Sequence, residues 1–219
     1  DHRFLADGYY TRTPASYAGY QENAFWRNPG VHVPYNYILN GNDRASHDLG
    51  YVQLYLSSRN MEEEGYFKTE PESSWLKETY GISGGYYDTR FNADMGVALI
   101  KAYQKYNESY FLEQAKKMLA FYVDYANEHH YAFYNELSEA GWLVQDYWHE
   151  DGNDEPVHSA LNHQIQEMHF LYLMGTELKD PQIIALGDML LKGVEITREI
   201  WIKQEGDLHY GYTPEGTFD

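Results

Sequence analysis

An apolar pattern of helical period occurs twice in this chain, and nothing else in the sequence limits the possible folds so strongly. In the first stretch Phe91, Met95, Leu99, Ala102, Tyr103 and Tyr106 fall on one face, and after Asn107-Glu108 a second helix carries Phe111, Leu112, Ala115, Met118, Leu119, Tyr122 and Val123. In the second stretch Leu161, Ile165, Met168, Phe170, Leu171 and Leu173 line one helix, and Asp180-Pro181 opens another through Ile184, Leu190, Val194 and Ile200. Asp before Pro suits a helix start, because the carboxylate accepts from free N–H groups and proline has no N–H to leave unpaired. Ser109 is the matching cap of the first pair. Phe91-Asn92 and Leu161-Asn162 stand 70 residues apart, and Ser109 and Asp180 stand 71 apart. Tightly turned pairs of this kind bury each other's apolar faces and stack into solenoids or toroids. The expected fold is all-α: an incomplete, (α/α) toroid-like array of antiparallel helical hairpins, with short β-hairpin loops on one face.

The array is expected to occupy 43–219, with a further helix from about Arg44 to Arg59 carrying Leu49, Val52, Leu54, Tyr55 and Leu56. Residues 1–42, with Pro14, Pro29 and Pro34 and no lasting periodicity, read as a loop-rich N-terminal extension with short extended pieces. A tight turn brings the start of its first helix and the end of its second to the same end of a hairpin. The long connections 60–89, 129–157 and 204–219 are therefore expected on one face. They carry Trp75, Tyr86, Tyr87, Tyr134, Trp142, Tyr147, Trp148, Tyr210 and Tyr212. Aromatic side chains offer a flat apolar face with a polar edge, which matches a sugar ring with C–H groups on one face and hydroxyls at its rim.

Composition narrows the partners. The 219 residues include 34 Asp and Glu against 16 Lys and Arg, a formal charge of −18, which repels nucleic acid and anionic membranes. The same charge opposes a polyanionic substrate unless a local cation reverses the field. With 43% hydrophobic residues the chain has material for one sizeable core. It has no Cys, hence no disulfide or thiolate metal site, and no apolar run long enough to span a bilayer. The start Asp1-His2-Arg3 lacks a signal-peptide pattern, and a start without Met points to processing or trimming. Compartment is open, with a secreted or cell-surface bacterial setting slightly favoured, and oligomeric state is not encoded legibly.

The densest polar run is Tyr147-Trp148-His149-Glu150-Asp151-Gly152-Asn153-Asp154-Glu155-Pro156, leading into a helix at His158 to His163. Carboxylates beside rings can be pushed toward a general acid or base role, and a helix start can hold an anion. Residues 151–155 also offer oxygen ligands of the type calcium takes, though not the twelve-residue loop. His158 and His163 are five residues apart, and His129-His130 are adjacent, which argues against zinc; no cofactor is expected. Upstream, Gly84-Gly85-Tyr86-Tyr87-Asp88-Thr89-Arg90 sets phenols, a carboxylate and a guanidinium at the same end, where Arg90 either clamps a carboxylate or pairs with Asp88 or Asp94. Phosphate-loop, nucleophile-elbow and dinucleotide motifs are absent from the sequence.

At these loops the chain resembles the C-terminal helical domain of the D-glucuronyl C5-epimerases, over about residues 43–218. Tyr86-Tyr87 leading into Leu99-Ile100-Lys101-Ala102-Tyr103, Trp148 through Pro156 leading to Leu161-Asn162, and the segment from Gly206 to Tyr212 carry the resemblance. The family has a Tyr where Gly152 stands here, and its closing helix has no counterpart before Asp219. The resemblance implies proton transfer at C5 of a uronic acid within a poly- or oligosaccharide. Glu150 and Asp151 become acid/base candidates, Tyr87 or Tyr210 the second proton carrier, and Arg90 the carboxylate clamp. Trp148, Tyr147, His158, Asn162, Tyr212 and Trp75 are the substrate-binding candidates. The alternatives are a glycoside hydrolase or lyase on a similar toroid, with Asp88 or Asp154 in a carboxylate pair, and a non-catalytic glycan-binding relative.

Overall fold

A computed structural model describes residues 2–17, 20–30, 33–153, 155–204 and 206–218. The chain opens with an antiparallel three-stranded sheet, β1 (His2–Leu5), β2 (Gly8–Arg12) and β3 (Phe25–Arg27). Alternation along β2 turns Tyr9 and Thr11 inward. The helices α1 (Val33–Asn40) and α2 (Arg44–Ser58) follow. The segment expected to be loop-rich thus contains a sheet and a helix, and Tyr9, Tyr35 and Leu39 enter the same apolar core as the later helices. Pro34 did not prevent α1, because it stands in the first turn, where its missing N–H breaks no intrahelical bond. In α2, capped by Asp43, Leu49 and Val52 face outward at 43% and 47% exposure, while Leu54 is buried.

The connection 60–89 is more structured than its composition shows. It holds β4 (Lys68–Thr69), the helix α3 (Ser74–Tyr80) between the Ser73 cap and Gly81 at φ 71°, and β5 (Tyr86–Asp88). The two expected hairpins are present as α4 (Thr89–Tyr106) with α5 (Ser109–Glu128), and α6 (Leu161–Leu178) with α7 (Pro181–Thr197). Between them run the hairpin β6 (His130–Tyr134) and β7 (Ala140–Val144), then β8 (Tyr147–Trp148) and β9 (Ser159–Ala160); β10 (Gly211–Tyr212) follows α7. Asp180 caps α7 as expected, accepting from Gln182 N at 2.9 Å with Pro181 in the first turn. Ser109 does not cap α5: it is the first helical residue, and the capping position is Glu108, whose side chain makes no capping bond. Ile165 and Ile200, expected on apolar faces, are each 53% exposed, and α7 ends before Ile200.

Helix starts set the repeat at 72 residues, Thr89 to Leu161 and Ser109 to Pro181, rather than 70 or 71. The corrected register has chemical meaning. The fourth residue of α4, Asn92, accepts from Phe67 N at 2.8 Å and donates to Phe67 O at 3.0 Å; the fourth residue of α6, Gln164, accepts from Val144 N at 3.0 Å and donates to Val144 O at 2.8 Å. Each buried amide pairs both backbone groups of one residue, as a neighbouring strand would. Helix α4 lies centrally, packed on α2, α5 and α6, and Gly96 lets it approach α6 because a Cβ there would stand 2.5 Å from the Phe170 ring. The β6–β7 hairpin sits on α7 through backbone contact at Gly141 and Gly193. The long connections meet through strand pairing: β4-β5-β8 joins the first to the second, and β9-β10 joins the second to the C-terminal segment. Among the described residues no helix is long and apolar enough to cross a membrane.

Candidate functional site

The β5–β8 ladder decides which side chains share a surface. Asp88 stands opposite Tyr147, and Tyr87 opposite Trp148. Successive strand residues point to opposite faces, so Tyr86, Asp88 and Tyr147 turn one way and Tyr87 and Trp148 the other. The first side opens on a cleft of about 290 Å³, where Trp75, Arg90, Asn162, His163 and Tyr210 join them. Arg90 and Asn162 are the second residues of α4 and α6, equivalent positions of the repeat, so two helix N-termini open onto the cleft. Arg90 is the one cationic side chain, and Asp88 the one carboxylate, among the described residues that line it. With two helix dipoles adding positive potential, Arg90 makes this cleft a local exception to the −18 net charge of the chain.

Beneath the cleft lies a buried polar network. Asp88 caps α4, accepting from Phe91 N at 2.8 Å. Asp146, with no exposure, accepts from Ala160 N at the start of α6 through both oxygens at 3.0 and 3.1 Å. It lies 3.3 Å from His158 Nε2 and 3.7 Å from His163 Nδ1. His158 Nδ1 meets the Tyr80 hydroxyl at 2.8 Å, and His163 Nδ1 meets the Thr89 hydroxyl at 2.9 Å. One helical turn below His163, Glu167 accepts from the Tyr122 hydroxyl. The His158 ring packs against Trp75, Tyr147 and Tyr210 at 5.2 to 5.6 Å, forming the back wall of the cleft.

Burial sets the acidities. It pushes Asp88 up to about 7, opposed by the Phe91 N–H and Arg90 and reinforced by Asp146 and Asp94. It pushes Glu167 up to about 8 and Asp146 well above the carboxylate range. His163 is held well below the ordinary imidazole value, by burial first and then by His158 and Arg90. Tyr147 and Tyr210 are both raised, chiefly by burial, so they remain protonated phenols at neutral pH.

Asp146, His163 and Glu167 set one donor atom each within 4.8 Å of one another. Thr89 and Tyr122 already bond His163 and Glu167, and Asp146 already accepts from Ala160 N. The set fits a hydrogen-bond network better than a metal centre.

Of the expected site residues, the structure brings Trp75, Arg90, Tyr147, Asn162 and Tyr210 into the cleft, with His158 behind them. Others lie elsewhere. Tyr87 faces the aromatic core, between Tyr66, Phe121 and Tyr125, because it is out of phase with Tyr86 and Asp88. Trp148 shares that opposite face. Tyr212 packs on Tyr131, Phe133 and Phe218. Glu150 points outward to Lys68 Nζ at 3.0 Å, and the Asp151 side chain is 89% exposed. Their loop is turned away by His149, which contacts Gly84 O through Nε2 and accepts from Asp151 N through Nδ1. Gly152 adopts φ +89°, a conformation that strains a residue with a Cβ. Asn153 accepts from His149 N and donates to Tyr147 O within the loop. Asp154 lies outside the described residues.

Asp146 and Glu167 carry no role in the expectations from sequence, and His163 enters them only as half of a zinc pair. The spacing of His163 and Glu167, one turn apart on the face of α6 that carries Phe170 and Leu171, was the available signal.

No protein-family model matches the sequence, and no curated protein matches it. Solved structures do match. A D-mannose isomerase superposes with a TM-score of 0.60 at 19% identity, over 84% of this chain and 48% of that one. An α-amylase from Clostridium perfringens gives 0.58 at 14%, over 88% and 48%. A GH76 α-mannanase from Bacteroides thetaiotaomicron gives 0.56 at 16%, over 87% and 49%. This chain spans about half the length of the structures it matches. At such identities the likeness establishes the fold, and the chain has the helical architecture of an (α/α) toroid.

Proposed function

We propose that this chain is a carbohydrate-active enzyme acting on a uronic-acid-containing polysaccharide by proton transfer at C5, as its resemblance to the D-glucuronyl C5-epimerases implies. The observation that carries this reading is Arg90, the one cation among the described lining residues of a cleft otherwise walled by Trp75, Tyr147 and Tyr210. The uronate carboxylate pairs with the Arg90 guanidinium, and the sugar ring lies along the aromatic wall. Asp88, raised to about 7, is matched to neutral pH as the base that takes the C5 proton. The C–H electron pair passes into the C5–C6 bond to give an enediolate neutralised by Arg90. The Tyr210 hydroxyl, supported by Tyr147, returns a proton to C5 from the other side, leaving Asp88 protonated and Tyr210 as phenolate until the two re-equilibrate.

Hydrolysis, the second enzymatic reading, calls for two carboxyl groups across a bond, and Asp88 stands alone among the described residues lining the cleft. The cleft therefore favours proton transfer. Incubation with heparan-type polysaccharide in deuterated water is expected to place deuterium at C5. Arg90→Ala and Asp88→Asn are each expected to reduce incorporation by about a hundredfold, the scale of a lost acid/base or charge-stabilising group. Absence of deuterium would overturn the proposal; new reducing ends in its place would point to hydrolysis, and binding without either product to a non-catalytic glycan site.

A further inference from the structure

The opposite face of β8 carries a second recessed surface. Trp148 and His129 line two adjoining hollows, one of about 420 Å³ beside α5 and one of about 320 Å³ beside Gly152, Asn153, Glu155 and Pro156. The indole is braced at its back by Tyr66 and Phe121, each with ring centroids 6.1 Å away, and it stays half-buried, so part of it forms the wall. A braced indole beside an open hollow is a stacking platform whose side-chain entropy is already lost.

The charge around this platform is one-sided. Glu64, Asp124, Glu128 and Glu155 line the hollows, all four exposed, and the described residues lining them include no Lys or Arg. That is the reverse of the Arg90 cleft, from which it is separated by the thickness of one strand, since Tyr147 and Trp148 are consecutive. A uronate would be repelled here. A sugar with an ammonium group would gain from the carboxylates and from the indole face.

We propose that the Trp148 groove is a separate binding site for an amino sugar with a free, protonated amine, its C–H face stacked on the indole and its ammonium directed to the Asp124 and Glu128 side. Both acidic residues lie on α5 one turn apart, so they present two carboxylates to one ligand charge. The site stands whether or not the Arg90 cleft transfers protons.

Calorimetric titration of the full chain with a glucosamine tetramer at pH 6, and with its fully N-acetylated counterpart, tests the site. The free amine form is expected to bind at least about tenfold more tightly, a difference of roughly 1.4 kcal/mol, and to weaken several-fold as salt rises from about 20 to 200 mM. Trp148→Ala is expected to abolish binding. Because Trp148 also packs on Tyr66 and Phe121, the surface double variant Asp124→Asn/Glu128→Gln provides the second check, with about a tenfold loss and an unchanged unfolding temperature. Arg90→Ala is expected to leave this affinity untouched. Equal affinity for the two tetramers, or binding that survives both the Trp148 variant and the double variant, would overturn the proposal.

Discussion

Two acidic regions of this molecule can be set side by side. Glu150 and Asp151 lie on an outward loop, exposed, with Lys68 and His149 beside them. Asp88, Asp146 and Glu167 are exposed by 4% or less, and each sits near the start of α4 or α6. The functional groups are the same, and water makes the difference. On the loop, solvent solvates a carboxylate and weakens any partner. In the network each charge must be matched by an N–H, a hydroxyl or an imidazole, or else carry a proton.

The largest test of that contrast is Asp146→Ala. It leaves the Ala160 N–H without its acceptor and removes the carboxyl that both His158 and His163 approach. Each buried polar group left without its partner costs about 1–3 kcal/mol, and the Ala160 N–H and the imidazoles lose theirs together, so urea denaturation is expected to show a loss of roughly 2–5 kcal/mol. A loss below about 1 kcal/mol would place Asp146 with the surface carboxylates and erase the distinction.

Next in size is a pH effect of opposite sign to ordinary acid denaturation. Asp88 and Glu167 are raised to about 7 and 8, so the folded state holds protons that the unfolded chain has released. The stability they contribute is complete below the ordinary carboxylate pKa near 4 and is lost as pH rises through about 7 and 8. His163 acts in the other direction. Its folded pKa is depressed, so its contribution is present above the ordinary imidazole value of about 6.5 and lost as pH falls. Between pH 5 and 6.5 the two trends oppose, and from pH 6.5 to 8 the carboxyl loss stands alone. One proton linked over one pH unit corresponds to about 1.4 kcal/mol, or about 4 °C for a chain of this size. Thermal unfolding is therefore expected to move down by about that much per unit across the upper window, and Glu167→Gln to flatten the slope. An unchanged slope in the variant would assign the effect to other groups.

The helical hairpins were legible because their signal is long and local: a 3.6-residue period over seventeen to twenty residues, and Asp-Pro at one start. The sequence offers a repeat one or two residues too short because Phe-Asn and Leu-Asn resemble each other, whereas what repeats is the amide at the fourth position, Asn92 and Gln164, clamping a passing backbone. Helices α1 and α3 escaped notice because eight and seven residues are too short for a period to emerge among prolines and loop residues. The meeting of Arg90, Tyr147, Asn162, Tyr210 and Trp75 in one cleft is legible because they flank helix starts or lie in connections that converge there. Tyr87 and Trp148 were assigned to the same face as their neighbours because strand phase cannot be read in segments of two or three residues. Asp146 was invisible for a different reason: its importance lies in burial between elements far apart in the chain, and a lone Asp before Tyr147 announces none of that.

The smallest expected effect falls on the most conspicuous acidic run. The Lys68–Glu150 contact of 3.0 Å joins side chains 26% and 54% exposed, and Lys68 is shared with Glu62 at 3.5 Å. Burial is too slight for the pair to escape screening, and Glu62 remains to receive the ammonium when Glu150 is removed. Pairs of this exposure contribute about 0.2–1 kcal/mol. Glu150→Gln is expected to stay within that range in denaturant titrations and to lose even this small difference at 1 M salt. Deuterium incorporation at C5 is expected to be unchanged, since the side chain faces away from the Arg90 cleft. A loss of exchange in Glu150→Gln with the fold intact would return the chemistry to the loop and make the buried network only its support.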